Sequence, residues 1–282
     1  MILVLGATGS TGGEVARQLI AAGVTPRLFV RNRSKAVEFE GKADIREGDI
    51  TKESTLRSAL AGIEKLYLVA NGVEGRDLEK RAIDAAAEAG VRHVVKLSAI
   101  TADSPATTFA KWHAEIEMHL MDSEMEWTML RPGSFMTNAF IFWVNTIKSE
   151  CVMYQSTGDG KWPSIAAEDI AAVAVKALTE PGHEGRGYTF TGSESMNGME
   201  YADVFSNVLG KPVKFIDVAP EAYKEQMIQS AMPMEYVDAV MNLMFILRAG
   251  FADRVTNTFE QLMGRKPMSF SDWVRKYQAA FE

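Results

Sequence analysis

Cysteine is almost absent from the chain: Cys151 stands alone and cannot close an intramolecular disulfide, which points to a reducing compartment. Histidine is scarce too, with four among 282 residues, and beside one cysteine these make no metal-binding constellation. A basic excess is missing. The formal net charge is -7, from 30 Lys+Arg against 37 Asp+Glu, whereas a nucleic-acid surface needs cations to neutralise phosphates. No apolar run approaches the ~20 residues of a membrane-spanning helix. Ile2 to Leu5 is short and lacks the basic flank of a secretory signal, and Ala139 to Val144 is little longer. These absences predict a cytoplasmic protein without nucleic-acid or membrane partners. Cys151, followed by the strand-like Val152-Met153-Tyr154, is expected to be a small core residue and not a nucleophile.

What is present begins at the first residue. Ile2-Leu3-Val4-Leu5 is too short for a helix and ends in glycine, so it reads as a buried strand. Gly6, Gly9 and Gly12 follow, and then Val15, Ala16, Leu19 and Ile20 recur at helical spacing up to Gly23, the expected helix stop. A strand, a glycine turn and a helix in that order form a dinucleotide-binding pattern: glycines let the turn tighten and the backbone approach a pyrophosphate, which the N–H groups at the helix start then face. A second strand, Pro26 to Val30, closes on Arg31-Asn32-Arg33-Ser34-Lys35. An acid at that place selects a free ribose 2′-hydroxyl, and an arginine accommodates a 2′-phosphate. Three cations and no carboxylate favour NADP over NAD.

Strands are expected next at Ala43 to Arg46, Lys65 to Ala70, Val91 to Leu97 and Trp127 to Leu130, alternating with helices near Lys52 to Leu60, Asp77 to Ala89 and Thr107 to Met121. This alternation predicts an α/β protein with a Rossmann-type, doubly wound parallel sheet, whose strand ends carry Gly6, Arg31, Asn71 and Ser98 to one crevice. Phe109, Trp112, His113, Ile116 and Leu120 trace one face of the last helix, marking His113 as a structural residue, while Thr107, Lys111 and Glu115 trace another. After Arg131-Pro132-Gly133 the pattern changes. The expected division is a nucleotide-binding domain over residues 1–132 and a smaller, mainly helical substrate domain over 133–282, partly packed back on the first. Five methionines between Met227 and Ile246 suit core packing or an adaptable pocket, and the segment leaves a pocket lid or a homodimer face as alternatives.

The motifs GATGSTGG, VRNRSK, GDI at Asp49, LSA at Ser98, KWHAE at Lys111 and LRPG at Leu130 occur in the order found in NmrA-like proteins, atypical members of the short-chain dehydrogenase/reductase superfamily. PSIAAEDIAAVAVKAL and YTFTGSE resemble later segments of that family. The resemblance implies a pyrophosphate held by Gly6, Ala7, Thr8, Gly9, Ser10, Thr11 and Gly12, and an adenosine phosphate held by Arg31, with Lys35 nearby. It implies that Asp49 and Ile50 lie beside adenine and that Ala70 and Asn71 flank the adenosine ribose. Lys111 then binds the nicotinamide ribose, and Pro132, Ser134 and Phe135 close over the nicotinamide.

The sequence departs from the superfamily at one mechanistic position. Reductases of this kind usually carry Tyr-x-x-x-Lys, and here Thr107 stands four residues before Lys111. An aliphatic hydroxyl is too weak an acid to replace a tuned phenol. The expected activity is therefore NADPH-dependent hydride transfer to a planar conjugated acceptor such as a quinone, whose reduced anion is resonance-stabilised and takes its proton from solvent. Lys111 and Ser98 are the catalytic candidates, with Ser98 either a donor to substrate or simply a polar strand end. Trp112, Phe135, Phe140 and Trp143 suit either a flat substrate or an aromatic core. The alternative is a non-catalytic NADP(H) sensor.

Overall fold

The computed structural model describes residues 1–70 and 72–282; Asn71, expected beside the adenosine ribose, lies outside them. The described residues divide into two compact units. The first comprises Met1–Ala106, Ala110–Pro132 and Ala167–Thr189, and the second Thr107–Phe109, Gly133–Ala166 and Phe190–Glu282.

The first unit is built on a sheet of seven strands: β1 (Ile2–Val4), β2 (Arg27–Val30), β3 (Asp44–Glu47), β4 (Lys65–Leu68), β5 (His93–Leu97), β6 (Glu126–Pro132) and β7 (Arg186–Phe190). Their order across the sheet is β7-β6-β5-β4-β1-β2-β3, and the pairs β1/β2, β1/β4, β2/β3, β4/β5 and β5/β6 are parallel. The order reverses between β1 and β4, which places the ligand crevice beyond the ends of those two strands. Five helices accompany the sheet: α1 (Ser10–Ala21), α2 (Glu53–Leu60), α3 (Gly75–Glu88), α4 (Thr108–Met121) and α5 (Ala167–Thr179). Leu56, Leu60, Ala82, Ile83, Ile116 and Leu120 of α2, α3 and α4 pack on Leu3, Leu66, Leu68, Val94 and Met129 of the sheet. Because side chains alternate along each strand, these residues share one sheet face. Helix α1 packs along α5, which also meets β4, β5 and β6.

Two expectations about the chain's division need correction. The sheet does not end at residue 132, because β7 adds a seventh strand. Nor is 133–282 one body, since α5 and all of β7 but Phe190 belong to the first unit. Helix α5 is apolar on nearly all sides, with Ile170, Ala171, Val173, Ala174, Ala177 and Leu178 buried, as a helix packed on more than one side requires.

The second unit has a three-stranded sheet, in which Trp162–Ile165 pairs parallel with Ser134–Phe135 and antiparallel with Ser195–Met196, and a two-stranded one that pairs Val152–Gln155 with Lys214–Asp217. Its core is aromatic: Phe140 stacks on Phe281 with centroids 5.5 Å apart, and Trp143 meets Tyr201 and Phe205. Trp143 is therefore a core residue of this unit, and the partly buried Phe140 packs against that core. Met227 and Met244 are buried in the same core, and Met234 is exposed. Cys151 is not a core residue. It caps the helix Val144–Glu150 in a left-handed conformation with φ 57° and is half-buried, because the chain must break the helix there before turning into Val152–Gln155. Among the described residues no helix is long and apolar enough to cross a membrane.

Candidate functional site

The glycine turn between β1 and α1 is fixed by close approach. Gly6 has φ +65°, and a Cβ there would meet Val69 Cγ1 at 2.8 Å. A Cβ on Gly12 would lie 2.6 Å from the Gly6 carbonyl carbon, with backbone as the obstruction. The turn is closed by Gly9 N donating to Gly6 O at 2.8 Å, and the first helical bond runs from Gly13 N to Gly9 O. Gly9 caps α1 without a side-chain bond, and the first turn holds no acid. The N–H groups of Ser10, Thr11 and Gly12 thus have no intrahelical acceptor, the arrangement that suits an anion, with the helix dipole behind it. Ala7 is buried, and Thr8 and Ser10 are exposed on the rim.

The three cations after β2 are not equivalent. Arg33 grips Glu40 through two bonds, Nε to Oε1 at 2.8 Å and Nη2 to Oε2 at 2.9 Å, and its Nη1 donates to Ile45 O. Asn32 is occupied as a cap, accepting from Ser34 N and Ser34 Oγ. The Arg31 and Lys35 side chains are exposed, and neither is tied up in a hydrogen bond or close ion pair to a described residue, although the Arg31 charge acts on Asp49. Asp49 accepts from Thr51 N and Thr51 Oγ1, both at 2.9 Å, and these bonds hold its carboxyl below the usual range, helped by Lys52 and Arg31. It precedes α2 without capping it, since the cap residue is Lys52. Ile50 is half-buried against the sheet's core. Ala70 N donates to Glu79 Oε1 at 2.9 Å, and Gly75 leaves room for the Ala70 carbonyl, which a Cβ would approach to 3.0 Å.

Behind the ends of β4 and β5 lies a buried polar cluster that the sequence reading passed over. Lys96 is fully buried, and its Nζ lies 3.1 Å from Glu79 Oε2, 2.9 Å from Leu97 O and 3.0 Å from His113 Nδ1. A lysine ammonium can only donate, so His113 Nδ1 accepts and the neutral ring carries its proton on Nε2. Burial first, and the Lys96 charge second, push the His113 imidazole well below its ordinary pKa. Burial raises the Glu79 carboxyl, against the opposing pull of Lys96 and Ala70 N. The available signal was a lysine inside the apolar run Val94-Val95-Lys96-Leu97, since a buried lysine is almost always paired.

One helical turn beyond His113, Glu117 is also buried. Arg131 holds it with two bonds, Nε to Oε1 at 2.9 Å and Nη2 to Oε2 at 2.6 Å, and Ser98 Oγ donates to Glu117 Oε1 at 2.5 Å. Ser98 thus has its proton committed within the protein, which favours the polar strand-end reading over a donor to substrate. Lys111 is exposed on α4, and its i,i+4 neighbour Glu115 turns instead to Arg76 and Lys80 of α3 at 3.7 and 3.5 Å. Lys111 has no partner among the described residues, so it is not the salt-bridged surface lysine that the spacing allowed. Pro132 ends β6 and is buried. Ser134 and Phe135, half-buried in the second unit, pair with Ser164 and Ile165.

Known proteins resemble the chain over its whole length. A family model described as NAD(P)H-binding matches residues 6–181. An NAD(P)H azoreductase of Xenophilus azovorans is 35% identical, with 100% of this chain and 99% of that protein covered. A (4-alkanoyl-5-oxo-2,5-dihydrofuran-3-yl)methyl phosphate reductase of Streptomyces griseus is also 35% identical, with 100% and 99% covered. Among solved structures, an NADPH-dependent quinone oxidoreductase of Escherichia coli complexed with NADPH superposes with a TM-score of 0.87 at 27% identity, covering 99% of this chain and 100% of that one.

Proposed function

Since the chain belongs to the NAD(P)H-binding, NmrA-like family of atypical short-chain dehydrogenases/reductases and is an NAD(P)H-dependent reductase, we propose that it prefers NADPH and reduces a planar conjugated acceptor such as a quinone. The observation that carries this reading is a complete phosphate cradle combined with Thr107, and not tyrosine, four residues before Lys111. The relatives' names point the same way, since azo, quinone and dihydrofuranone groups are flat and conjugated.

The residues fit the nucleotide at three places. The turn from Gly6 to Gly12 leaves no room for a side chain at Gly6 or Gly12 and offers N–H donors to a pyrophosphate. Arg31 and Lys35 supply exposed cations for a 2′-phosphate, with Asp49 and Ile50 on the adenine side and Ala70 beside the ribose. Lys111 is the group for the nicotinamide ribose hydroxyls. Bound NADPH supplies the hydride. The protein's contribution is then to orient donor and acceptor, and alignment of that kind accounts for about 7–11 kcal/mol of a barrier in favourable intramolecular cases. Ser98 acts through Glu117 as a positioning residue of the β5 end.

Loss of nicotinamide absorbance with a panel of quinones, azo dyes and enones, run beside a fluorescence titration of NADPH, tests the reading. Turnover with a quinone and tighter binding of NADPH than NADH are expected. Tight NADPH binding with no turnover across the panel would replace the acceptor assignment with that of a nucleotide sensor. Lys111→Ala is expected to lower turnover while the protein stays folded, and an unchanged rate removes Lys111 from the site.

A further inference from the structure

Two buried side chains, Glu79 and Lys96, and the half-buried His113 form a line from α3 through β5 to α4 that neither the nucleotide cradle nor Lys111 explains. Its outer member is open at one end. His113 is only partly enclosed, and its Nε2 is neither sealed in the interior nor bonded to any described residue, whereas Nδ1 is held by Lys96. The bond from Lys96 fixes which nitrogen bears the proton, so the exposed one is an N–H donor. The residue lies against the carboxyl end of β5, on the side of the sheet where such folds bind their ligands.

We propose that His113 Nε2–H is the proton donor to the reduced acceptor, with Lys96 as the proton source behind it and Glu79 holding Lys96 in place. This rests on the reductase reading above. Hydride addition opens a carbonyl π bond and leaves its electron pair on oxygen. That oxygen takes the Nε2 proton, and the N–H electron pair stays in the imidazole. Nδ1 takes a proton from Lys96 Nζ, whose N–H pair remains on nitrogen as a neutral amine. Once product leaves, water protonates Nε2 and Nδ1 returns its proton to Lys96, so each turnover draws one proton from solvent.

The arrangement answers the loss of tyrosine. The relay joins the acceptor to a charged N–H acid through one imidazole, in place of the phenol. The charged groups around the ring are accounted for. Lys96 comes from β5 and Glu79 from α3, while Glu117 on the same helix is neutralised by Arg131 of β6. His113 is thus held neutral by burial and by the Lys96 cation, the state in which an imidazole donates from Nε2.

Two measurements test the relay. In 15N-histidine spectra of the unliganded protein, His113 is expected as the Nε2–H tautomer throughout the neutral range, and Lys96→Met is expected to release it to a tautomer mixture. A pure Nδ1–H signal in the unmodified protein overturns the proposal without any assay of activity. His113→Gln keeps an N–H donor but cannot relay. With NADPH binding retained, it is expected to lower turnover by about 10²–10⁴-fold and to abolish the solvent isotope effect of the unmodified enzyme. The loss should be smallest for quinones and largest for acceptors whose reduced anion is more basic. Turnover and isotope effect unchanged in His113→Gln overturn the relay alone, whereas no turnover of any acceptor by the unmodified protein overturns the reductase reading with it.

Discussion

Arg131 and Glu117 face each other as a two-bond pair across β6 and α4, with Glu117 2% exposed and its Oε1 also accepting from Ser98. Removing one partner of a buried pair leaves an uncompensated charge, at about 3–5 kcal/mol. Arg131→Met is therefore expected to lower the urea midpoint severely. The double variant with Glu117→Leu should recover most of that loss, because neither charge then remains buried. A double variant no more stable than Arg131→Met would show that the pair is not the source of the effect.

Arg31 and Arg33 differ by their neighbours and not by their chemistry. Arg31→Ala is expected to weaken NADPH by roughly ten- to hundredfold, the size of a lost hydrogen bond to a charged group, and to leave NADH nearly unaffected. Arg33→Ala removes the grip on Glu40 and should change the two nucleotides alike. Fluorescence titration of both nucleotides against both variants separates the roles, and equal losses for Arg31→Ala would end its assignment to the 2′-phosphate.

Gly12 faces backbone that cannot swing aside. Gly12→Ala must move the start of α1 away from Gly6, an overpacking strain of about 1–3 kcal/mol, and the shift carries the N–H donors out of register with a phosphate. Loss of binding for both NADPH and NADH is expected, together with a lower melting temperature. Ala at Gly23, which has open space around it but φ +79°, should lower stability without touching nucleotide affinity.

His93 is buried, and its pKa is pushed down to about 4 by burial, with Lys65 adding to the effect. Its Nε2 donates to Thr128 Oγ1, because the Thr128 proton goes to His183 O. An unfolded histidine titrates near 6.5. The stability that comes from keeping His93 neutral is complete above that value and is lost as pH falls from about 6.5 towards 4, since the unfolded chain then binds the proton first. Urea midpoints measured across this window should fall with acid, and His93→Gln should flatten the curve by up to one proton. An unchanged slope would place the acid sensitivity elsewhere.

The glycine turn, α1 and the alternation of strands and helices were legible because local spacing determines them: the buried run of β1, the Val15 and Leu19 stripe and the stop at Gly23 all lie within one short stretch. Arg33 was not distinguishable from Arg31, because its partner Glu40 is positioned by a turn that composition does not specify. Lys96 left a trace as a lone charge in an apolar strand, but Glu79 and His113 meet it only through packing of α3 and α4 on the sheet. Cys151 looked like core because its neighbours alternate as a strand, yet the preceding helix needed a left-handed terminus at that position. The return of α5 and β7 to the first unit follows from long-range pairing, which hydrophobic periodicity does not encode.

That return also governs how the protein is made. Residues 1–132 contain the nucleotide cradle and six strands, but α1 packs along a helix that begins at Ala167. During synthesis the amino-terminal half must wait, with the apolar flank of α1 uncovered, while Gly133–Ala166 of the other unit emerges first. The two units are thus interleaved in time as well as in sequence. A fragment cut at Pro132 would lack both the helix that α1 packs along and the seventh strand of its sheet.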